Sequence, residues 1–375
     1  MINRVFCPFL SVVLCLFVTM VGCTPAEQTA LSPLPSNKTL TPSLVASSTI
    51  TIIPTTTLAS TFTEIPTSTL LWSNAQVTPL ATVLPPGLYL ASVPNCEEST
   101  GPECIVTAFT LNGKVSETIA TIPYRGIGLQ SFVYNNHRLA FIIVRADSYG
   151  NQLPDVFQVI DLGTGDTFGI LSPEGENCTL EDWSPDGTHL IALCKGRPEI
   201  DLISVPDGKL TTILDYSRVQ NSELVYDQPR WSPDGKWLLF YEVAACGGCS
   251  FHEERYVMDM SCLSDLSTCR DAIRPLSSPG GENFVTSSSW TPDSHLAWIL
   301  SNEIEVYDVE SGQRLRTYYA DPNGGKISQV AWSPDSKWIA IRQDNLPGML
   351  VLSTQGNESL HLNIDVSNPF WISVP

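Results

Sequence analysis

Basic residues are scarce in this chain, which has 20 Lys and Arg against 39 Asp and Glu and a formal net charge of −19. A surface of this sign repels phosphate backbones and anionic lipid headgroups, so the composition argues against a nucleic-acid partner. The negative charge instead favours solubility, or the attraction of cations and basic peptides.

Recognisable catalytic motifs are also missing. The sequence contains no G-x-S-x-G nucleophile elbow and no G-x-x-x-x-G-K-[ST] phosphate loop. The run from His252 to Tyr256 begins like the zinc motif H-E-x-x-H but lacks its second histidine. His137, His189 and His295 occupy near-equivalent turn positions in separate repeats, and such positions around a ring do not converge on one atom. The motifs therefore predict no catalytic residue, no metal ligand and no cofactor.

Helical periodicity is absent too, and a repeated turn motif takes its place. The motif reads Trp-Ser-Pro-Asp or Trp-Thr-Pro-Asp, precedes an apolar run each time, and begins at Trp183, Trp231, Trp290 and Trp332. A fainter copy begins at Phe132. Because Pro and Asp favour a tight turn, each copy predicts a hairpin anchored by an aromatic ring. Intervals of 42 residues (290 to 332) to 59 residues (231 to 290) are typical of a propeller or solenoid.

Each repeat contains four predicted strands: one before the Trp, one after the turn, and a hairpin such as the one at 199–205 and 209–214. The second strand is apolar on both faces, as in 190–193, which favours burial between adjacent sheets. The phrase from Trp231 to Phe240 resembles the TolB-like family of Pro-Asp, WD40-like β-propeller repeats. The resemblance implies a propeller that serves as a binding scaffold or an accessory domain, and it implies no particular ligand.

The two ends of the repeat region complement each other. The strand at 87–92 has no Trp motif before it, whereas the last segment, 369–374, carries Trp371 with no strands after it. Joining both segments in one sheet makes six units and hides the edges that an open array would expose. We therefore predict an all-β, six-bladed β-propeller in which N- and C-terminal strands close one blade.

The N-terminal region differs in composition from the repeats. Residues 1–22 hold one basic residue, Arg4, then an apolar run and a small residue before Cys23, which predicts a lipoprotein signal peptide resembling a bacterial lipobox. Lipid on Cys23 would hold the chain on the extracytoplasmic side of a membrane, in the periplasm or at the cell surface. Residues 23–85 are rich in Ser, Thr and Pro and predict a disordered linker, and 86–375 are predicted to form the propeller.

The chain has 11 cysteines, of which eight follow the linker. An even number in an exported domain predicts disulfides. The candidates are Cys96, Cys104, Cys178, Cys194, Cys246, Cys249, Cys262 and Cys269. Cys178 and Cys194 lie symmetrically about a turn motif and should face each other across the hairpin, and the first two candidates should close a loop. The last four allow three connectivities, and a zinc site or a redox pair at Cys246–Cys249 are the alternatives.

Two functions remain open at this level. The first is a monomeric module that binds a peptide, a protein or a glycan. The first strand of each blade lines the central channel of a propeller, so polar residues just before each motif are the candidate contacts. They are Gln130, Glu181, Asp227, Gln228, Thr286, Ser288 and Gln329. The alternative is a propeller lyase or hydrolase, which needs channel-mouth carboxylates held within a few ångströms of each other.

Overall fold

A computed structural model provides the coordinates of the chain. It describes residues 75–93, 103–112, 116–123, 129–135, 137–146, 152–172, 178–194, 199–205, 207–215, 224–244, 253–277, 285–364 and 368–375. All of them belong to one compact unit, Pro66–Pro375. Among the described residues, helices are short, and none has the length and apolar character needed to cross a membrane.

The strands form six antiparallel sheets. The first sheet contains β1 (Gln76–Val77), β2 (Gly87–Ser92), β3 (Glu103–Thr110) and β4 (Ser116–Pro123). Blade I contains β5 (Leu129–Asn135), β6 (Arg138–Ala146), β7 (Gln152–Asp161) and β8 (Thr167–Leu171). Blade II contains β9 (Cys178–Trp183), β10 (His189–Cys194), β11 (Glu199–Ser204) and β12 (Leu210–Asp215). Blade III contains β13 (Leu224–Trp231), β14 (Trp237–Ala244), β15 (Glu253–Asp259) and β16 (Ile273–Leu276).

Two further blades and a last strand complete the set. Blade IV contains β17 (Val285–Trp290), β18 (Leu296–Leu300), β19 (Glu303–Tyr307) and β20 (Arg314–Tyr319). Blade V contains β21 (Ile327–Trp332), β22 (Trp338–Gln343), β23 (Met349–Ser353) and β24 (Ser359–Leu362). The last strand, β25 (Pro369–Val374), joins the first sheet, here called the closing blade, in the order β1-β4-β3-β2-β25. Leu90 of β2 lies opposite Trp371 of β25, which confirms the predicted ring closure and the six-bladed β-propeller.

The apolar core lies between the blades rather than at one centre. Buried side chains form six clusters among the described residues, and each cluster joins two adjacent blades. Along β14, Leu238 and Phe240 pack towards blade II, whereas Leu239 packs towards blade IV. The second strand of a blade is therefore apolar on both faces because both faces are covered by neighbouring sheets.

The folded part begins earlier than the sequence predicted. Gln76 and Val77 pair with Thr121 and Ala120 of β4, so that β1 adds a fifth strand to the closing blade. The one-turn helix α1, Leu80–Val83, follows, and the side chain of Leu80 is buried in the cluster between the closing blade and blade I. Residues 75–85 were assigned to the linker because of their Pro and Thr content, and this boundary is wrong because their apolar residues pack on the ring.

The repeated turn is held by a hydroxyl and a carboxylate. Ser232 Oγ donates to Asp234 Oδ1 (2.6 Å), and the Lys236 amide donates to the same oxygen (3.1 Å). The amide of Trp237 then donates to Ser232 Oγ (2.8 Å). Burial alone would raise the pKa of Asp234, but these hydrogen bonds outweigh burial and lower it. Equivalent hydroxyl–carboxylate bonds hold Asp186, Asp293 and Asp335.

Indole rings tie four of the blades, II, IV, V and the closing blade, to the blade before them. The acceptor is the residue that directly precedes the aromatic residue of the previous blade. These bonds run from Nε1 of Trp183 to Val133 O (3.2 Å), of Trp290 to Arg230 O (3.0 Å), of Trp332 to Ser289 Oγ (3.3 Å) and of Trp371 to Ala331 O (2.9 Å). Trp231 differs, because its indole donates to Gly235 O within its own turn (3.2 Å).

The fainter copy of the motif is anchored by a different residue from the one predicted. Tyr134, and not Phe132, lies opposite Leu139, in the place that Trp231 takes opposite Leu238. The blade I turn is two residues shorter (134 to 139 against 231 to 238), which hid the equivalence in the sequence. The ring of Tyr134 also contacts that of Phe370 on β25, with centroids 4.3 Å apart, so it helps to close the ring.

Disulfide-bonded cysteines occur at three of the predicted places. Cys178 and Cys194 lie opposite each other on β9 and β10 and are bonded, as predicted. Cys262 and Cys269 are bonded across two 3₁₀ segments, Met260–Ser264 and Leu266–Ala272, which selects among the three connectivities. Cys104 is also disulfide-bonded. The candidates at 96, 246 and 249 lie outside the described residues.

Candidate functional site

The inner wall of the ring is built from the first strand of each blade. Strands β5, β9, β13, β17, β21 and β25 follow one another in contact around the centre. Each of them carries the aromatic residue of its blade, and five of them lead into the following turn. Residues two to four positions before the aromatic residue therefore lie at similar depth along the wall.

All seven predicted binding residues lie on these inner strands. They are Gln130 on β5, Glu181 on β9, Asp227 and Gln228 on β13, Thr286 and Ser288 on β17, and Gln329 on β21. The side chains of Gln130 and Thr286 are outside the described set. The remaining five fall into three different environments, and their role in binding stays a prediction.

Two carboxylates of blade II lie within the electrostatic influence of one guanidinium of blade III. The charge of Arg230 on β13 acts on both Glu181 and Asp182 of β9. Burial raises the pKa of Glu181, Arg230 opposes this shift, and the negative charges of Asp227 and Asp182 add to it. Two carboxylates thus lie near one cation, and the carboxylate of Asp227 adds a further negative charge close to Glu181.

Asp182 has a structural role that the sequence reasoning missed. Its Oδ2 accepts the amide of Trp231 (2.7 Å), and its Oδ1 accepts the amide of Trp183 (2.8 Å). Asp182 precedes the aromatic residue of blade II, which is the position that accepts an indole at other junctions. The carboxylate therefore replaces the missing indole link between blades II and III. Burial raises the pKa of Asp182 above its usual value, although the nearby positive charge of Arg230 opposes this shift.

Gln228 occupies an irregularity in the inner strand of blade III. The register of β13 against β14 shifts between Asp227 and Arg230, and Gln228 has a φ of 48°. Its exposed amide Nε2 donates to Asp227 Oδ2 (3.3 Å). Ser131 on β5 has a φ of 54° at the same kind of register shift. A β-bulge changes the direction in which side chains point. The bulge at Gln228 therefore changes the direction of the side chains that follow Asp227.

Ser288 is part of the packing between blades III and IV. It is buried, and its hydroxyl is hydrogen-bonded to the phenol of Tyr241. The guanidinium of Arg255 lies 4.9 Å from the centroid of the Tyr241 ring and 5.4 Å from that of the Trp298 ring. Arg255 is only 6% exposed, so these aromatic faces stabilise a charge that is largely removed from water. This arrangement favours a packing role for Ser288.

Gln329 borders a cavity at the end of the ring opposite the aromatic turns. The cavity has a volume of ≈ 330 Å³ and is lined by Ser328, Gln329, Arg342, Gln343, Asp344 and Leu346. The side-chain Oε1 of Gln329 is buried and has no hydrogen-bond partner among the described residues. Gln329 is therefore a predicted binding residue that lines a defined cavity.

Metal and thiol chemistry were open alternatives. No group of three or more His, Cys, Asp or Glu within the described ranges is placed to hold a metal ion. The Cys246–Cys249 motif and His252 lie outside those ranges.

Six antiparallel sheets are arranged in a closed ring, and polar residues line its inner wall. This arrangement defines the class of the protein, a six-bladed β-propeller. No protein-family model matches the chain, and no curated protein matches it.

Similar solved structures are distant. A chain of a nidogen/laminin complex has 10% identity and a TM-score of 0.46, over 76% of this chain and 98% of that one. A putative TolB from Agrobacterium tumefaciens has 12% identity and a TM-score of 0.45, over 74% and 89%. An oligogalacturonate lyase in complex with manganese has 12% identity and a TM-score of 0.41, over 64% and 70%. These likenesses do not transfer a family or a ligand, so the TolB-like assignment stays a prediction.

Proposed function

We propose that this protein is an exported, lipid-anchored β-propeller that binds a peptide or protein ligand at its inner wall. The observation that carries the proposal is that the charges of Asp227 and Arg230 on blade III both act on Glu181 of blade II. The negative charges of Glu181 and Asp227 suit a basic side chain of the ligand, and the net charge of −19 would speed its approach.

The anchor rests on the sequence around Cys23. The disulfides at Cys178–Cys194 and Cys262–Cys269 support an oxidising compartment, in agreement with export. Replacing Cys23 by Ser should move the protein from the membrane fraction to the soluble fraction of cells. Retention of the Cys23→Ser variant in the membrane fraction after a high-salt wash would contradict a lipid anchor at this residue.

The binding proposal is tested with the full-length protein in lipid nanodiscs and a peptide array in which Lys and Arg content varies at constant length. Dissociation constants of the best peptides are measured at several salt concentrations. The variants Glu181→Gln and Asp227→Asn should weaken binding about threefold to tenfold and reduce the salt dependence. Glu358→Gln is the matched control, since Glu358 is exposed beyond the inner wall on the turn before β24. Equal loss in all three variants would contradict an inner-wall site.

The raised pKa of Glu181 favours a second candidate, an enzyme with this carboxyl as general acid. General acids work best when their pKa lies near the operating pH, and burial moves Glu181 in that direction. A lyase or hydrolase of this kind should lose turnover of polysaccharide substrates in the Glu181→Gln variant while still binding them. The acidic limb of the pH–rate profile would identify the group. If the wild-type protein shows no turnover of these substrates, the enzyme candidate is ruled out and only the binding function remains.

A further inference from the structure

The inner strands of blades I, II and III share an irregularity that distinguishes them from those of blades IV and V. In each of the three, the register against the second strand shifts up to the residue that precedes the aromatic residue, namely Val133, Asp182 and Arg230. In blades IV and V the shift lies two residues further from the aromatic residue. Blades I to III therefore carry their bulges at the same end of the inner wall, near the aromatic turns.

The residues inside these three bulges are polar and accessible. Ser131 on β5 and Gln228 on β13 lie within the shifted stretches and have positive φ values of 54° and 48°. Glu181 is the residue of β9 that has no register partner on β10. Gln228 is exposed, whereas Ser131 and Glu181 are half-buried. Because a bulge changes the direction of the unpaired residue, these side chains leave the regular alternation of their strands.

Bonds between blades I and II show that two of these residues lie at one level. The indole of Trp183 donates to Val133 O (3.2 Å). Both inner strands lead into the aromatic turns, so the positions two residues earlier, Glu181 and Ser131, also lie side by side. Strand β9 contacts both β5 and β13, which places Glu181 between the inner strands of blades I and III.

Gln228 joins this level through its neighbour in the chain. Its Nε2 donates to Asp227 Oδ2 (3.3 Å), and the charge of Asp227 acts on Glu181. The bond to Asp227 occupies a donor of the amide, so that the carbonyl oxygen Oε1 is the acceptor that Gln228 offers to a ligand.

The charges at this level favour a cation. One positive charge, on Arg230, and two negative charges, on Asp227 and Asp182, act on Glu181. Both oxygens of Asp182 accept backbone amides (2.7 and 2.8 Å), so this carboxylate is fixed in the wall. A cation bound beside Glu181 would favour the ionised form of its carboxyl group.

The acceptors at this level distinguish one cation from another. They are the hydroxyl of Ser131, the carboxylate of Glu181 and the amide oxygen of Gln228, one from each of three blades. A primary ammonium group is compact and donates three hydrogen bonds, which matches this set. A guanidinium group is broader and planar and is matched best by a bidentate carboxylate.

We infer that Ser131, Glu181 and Gln228 bind a primary ammonium group of the ligand, from a lysine side chain or from a free N-terminus. The inference rests on the proposed peptide-binding function and deepens it, because it names the group that the inner wall recognises. It also adds Ser131 to the candidate binding residues. It requires no chemical step.

The first test needs only the wild-type protein, full length in nanodiscs. The probes are the tightest-binding basic peptide of the array and versions in which its basic positions carry Lys, Arg, trimethyllysine or norleucine, each with an acetylated or a free N-terminus. Calorimetry measures the dissociation constants. A peptide with a primary ammonium group should bind at least about fivefold more tightly than the acetylated Arg and trimethyllysine peptides, since these lack its three donors. The acetylated Lys peptide and the norleucine peptide with a free N-terminus distinguish the two sources of the ammonium group.

Variants then test the acceptors. Ser131→Ala and Gln228→Met should each raise the Kd of the primary-ammonium peptide by about threefold to tenfold, because each removes one hydrogen bond to a charged donor. The Kd of the trimethyllysine peptide should stay within about twofold of its wild-type value, because that peptide has no N–H group on its cation. Ser328→Ala is the matched control, since Ser328 is exposed on the inner strand of blade V.

Several results would overturn the inference. Equal or tighter binding of the acetylated Arg or trimethyllysine peptide would do so and would leave the peptide-binding function intact. Equal affinity of Ser131→Ala and Ser328→Ala for the primary-ammonium peptide would also do so. Absence of binding of every basic peptide would overturn the peptide-binding function together with the inference. Because the comparison of the peptides uses wild-type protein, it remains decisive if a variant unfolds.

Discussion

Replacing Trp371 by Phe should destabilise the ring more than the same replacement at Trp231. The indole of Trp371 donates to Ala331 O (2.9 Å) and thereby joins the C-terminal strand to blade V. The indole of Trp231 donates to Gly235 O in its own turn, and the junction to blade II keeps the bond from the Trp231 amide to Asp182. The two variants lose the same atoms, but only one of them loses a bond between blades.

The expected cost follows from burial. Trp371 is 3% exposed, so a Phe leaves a buried carbonyl without its donor, at about 1–3 kcal/mol. The smaller ring also removes apolar contact worth about 1 kcal/mol. We expect Trp371→Phe to lower the free energy of unfolding by about 2–4 kcal/mol, and Trp231→Phe by about 1–2 kcal/mol because its acceptor lies in a half-exposed turn.

Urea unfolding followed by circular dichroism measures both values without depending on tryptophan fluorescence. The m-value should be unchanged, and the Tm of Trp371→Phe should fall by roughly 5–10 °C. Equal losses for the two variants, or a loss below about 1 kcal/mol for Trp371→Phe, would refute the argument that the indoles hold neighbouring blades together.

Two further predictions concern the covalent and backbone constraints. The double variant Cys178→Ala/Cys194→Ala opens a loop with a sequence separation of 16. Its free energy of unfolding, measured in urea, should fall by about 3 kcal/mol. An unchanged free energy of unfolding would contradict a stabilising role of this disulfide. Gly348→Ala should cost more than Gly312→Ala in thermal unfolding, because a Cβ at Gly348 (φ +80°) would lie 2.1 Å from Leu362 O whereas Gly312 (φ +68°) has nothing within 4 Å. The control variant Gly312→Ala should lose only about 1–2 kcal/mol of unfolding free energy, because alanine is disfavoured in its left-handed backbone conformation. Equal losses in the two variants would show that the clash at Gly348 is relieved.

The sequence predicted the inner-wall position of Glu181 and Asp227, because both precede an aromatic turn motif. It did not reveal the partners of these residues. Arg230 also precedes an aromatic residue, yet the sequence does not single it out, since its charge effect on Glu181 depends on the neighbouring blade. The structural role of Asp182 was hidden for the same reason, because its acceptor function is defined by the amide of Trp231, 49 residues away.

The sequence by itself determined the repeated unit, its turns, the closing strand and the hairpin disulfide, because a period of two and turn chemistry act over a few residues. Only the tertiary structure decided which polar groups meet. The bulge at Gln228 changes how β13 pairs with β14, and contacts between blades depend on the twist and spacing of whole sheets. The cavity beside Gln329 likewise exists because loops at 321–326 and 344–348 are joined through Gln343, a contact that no local pattern encodes.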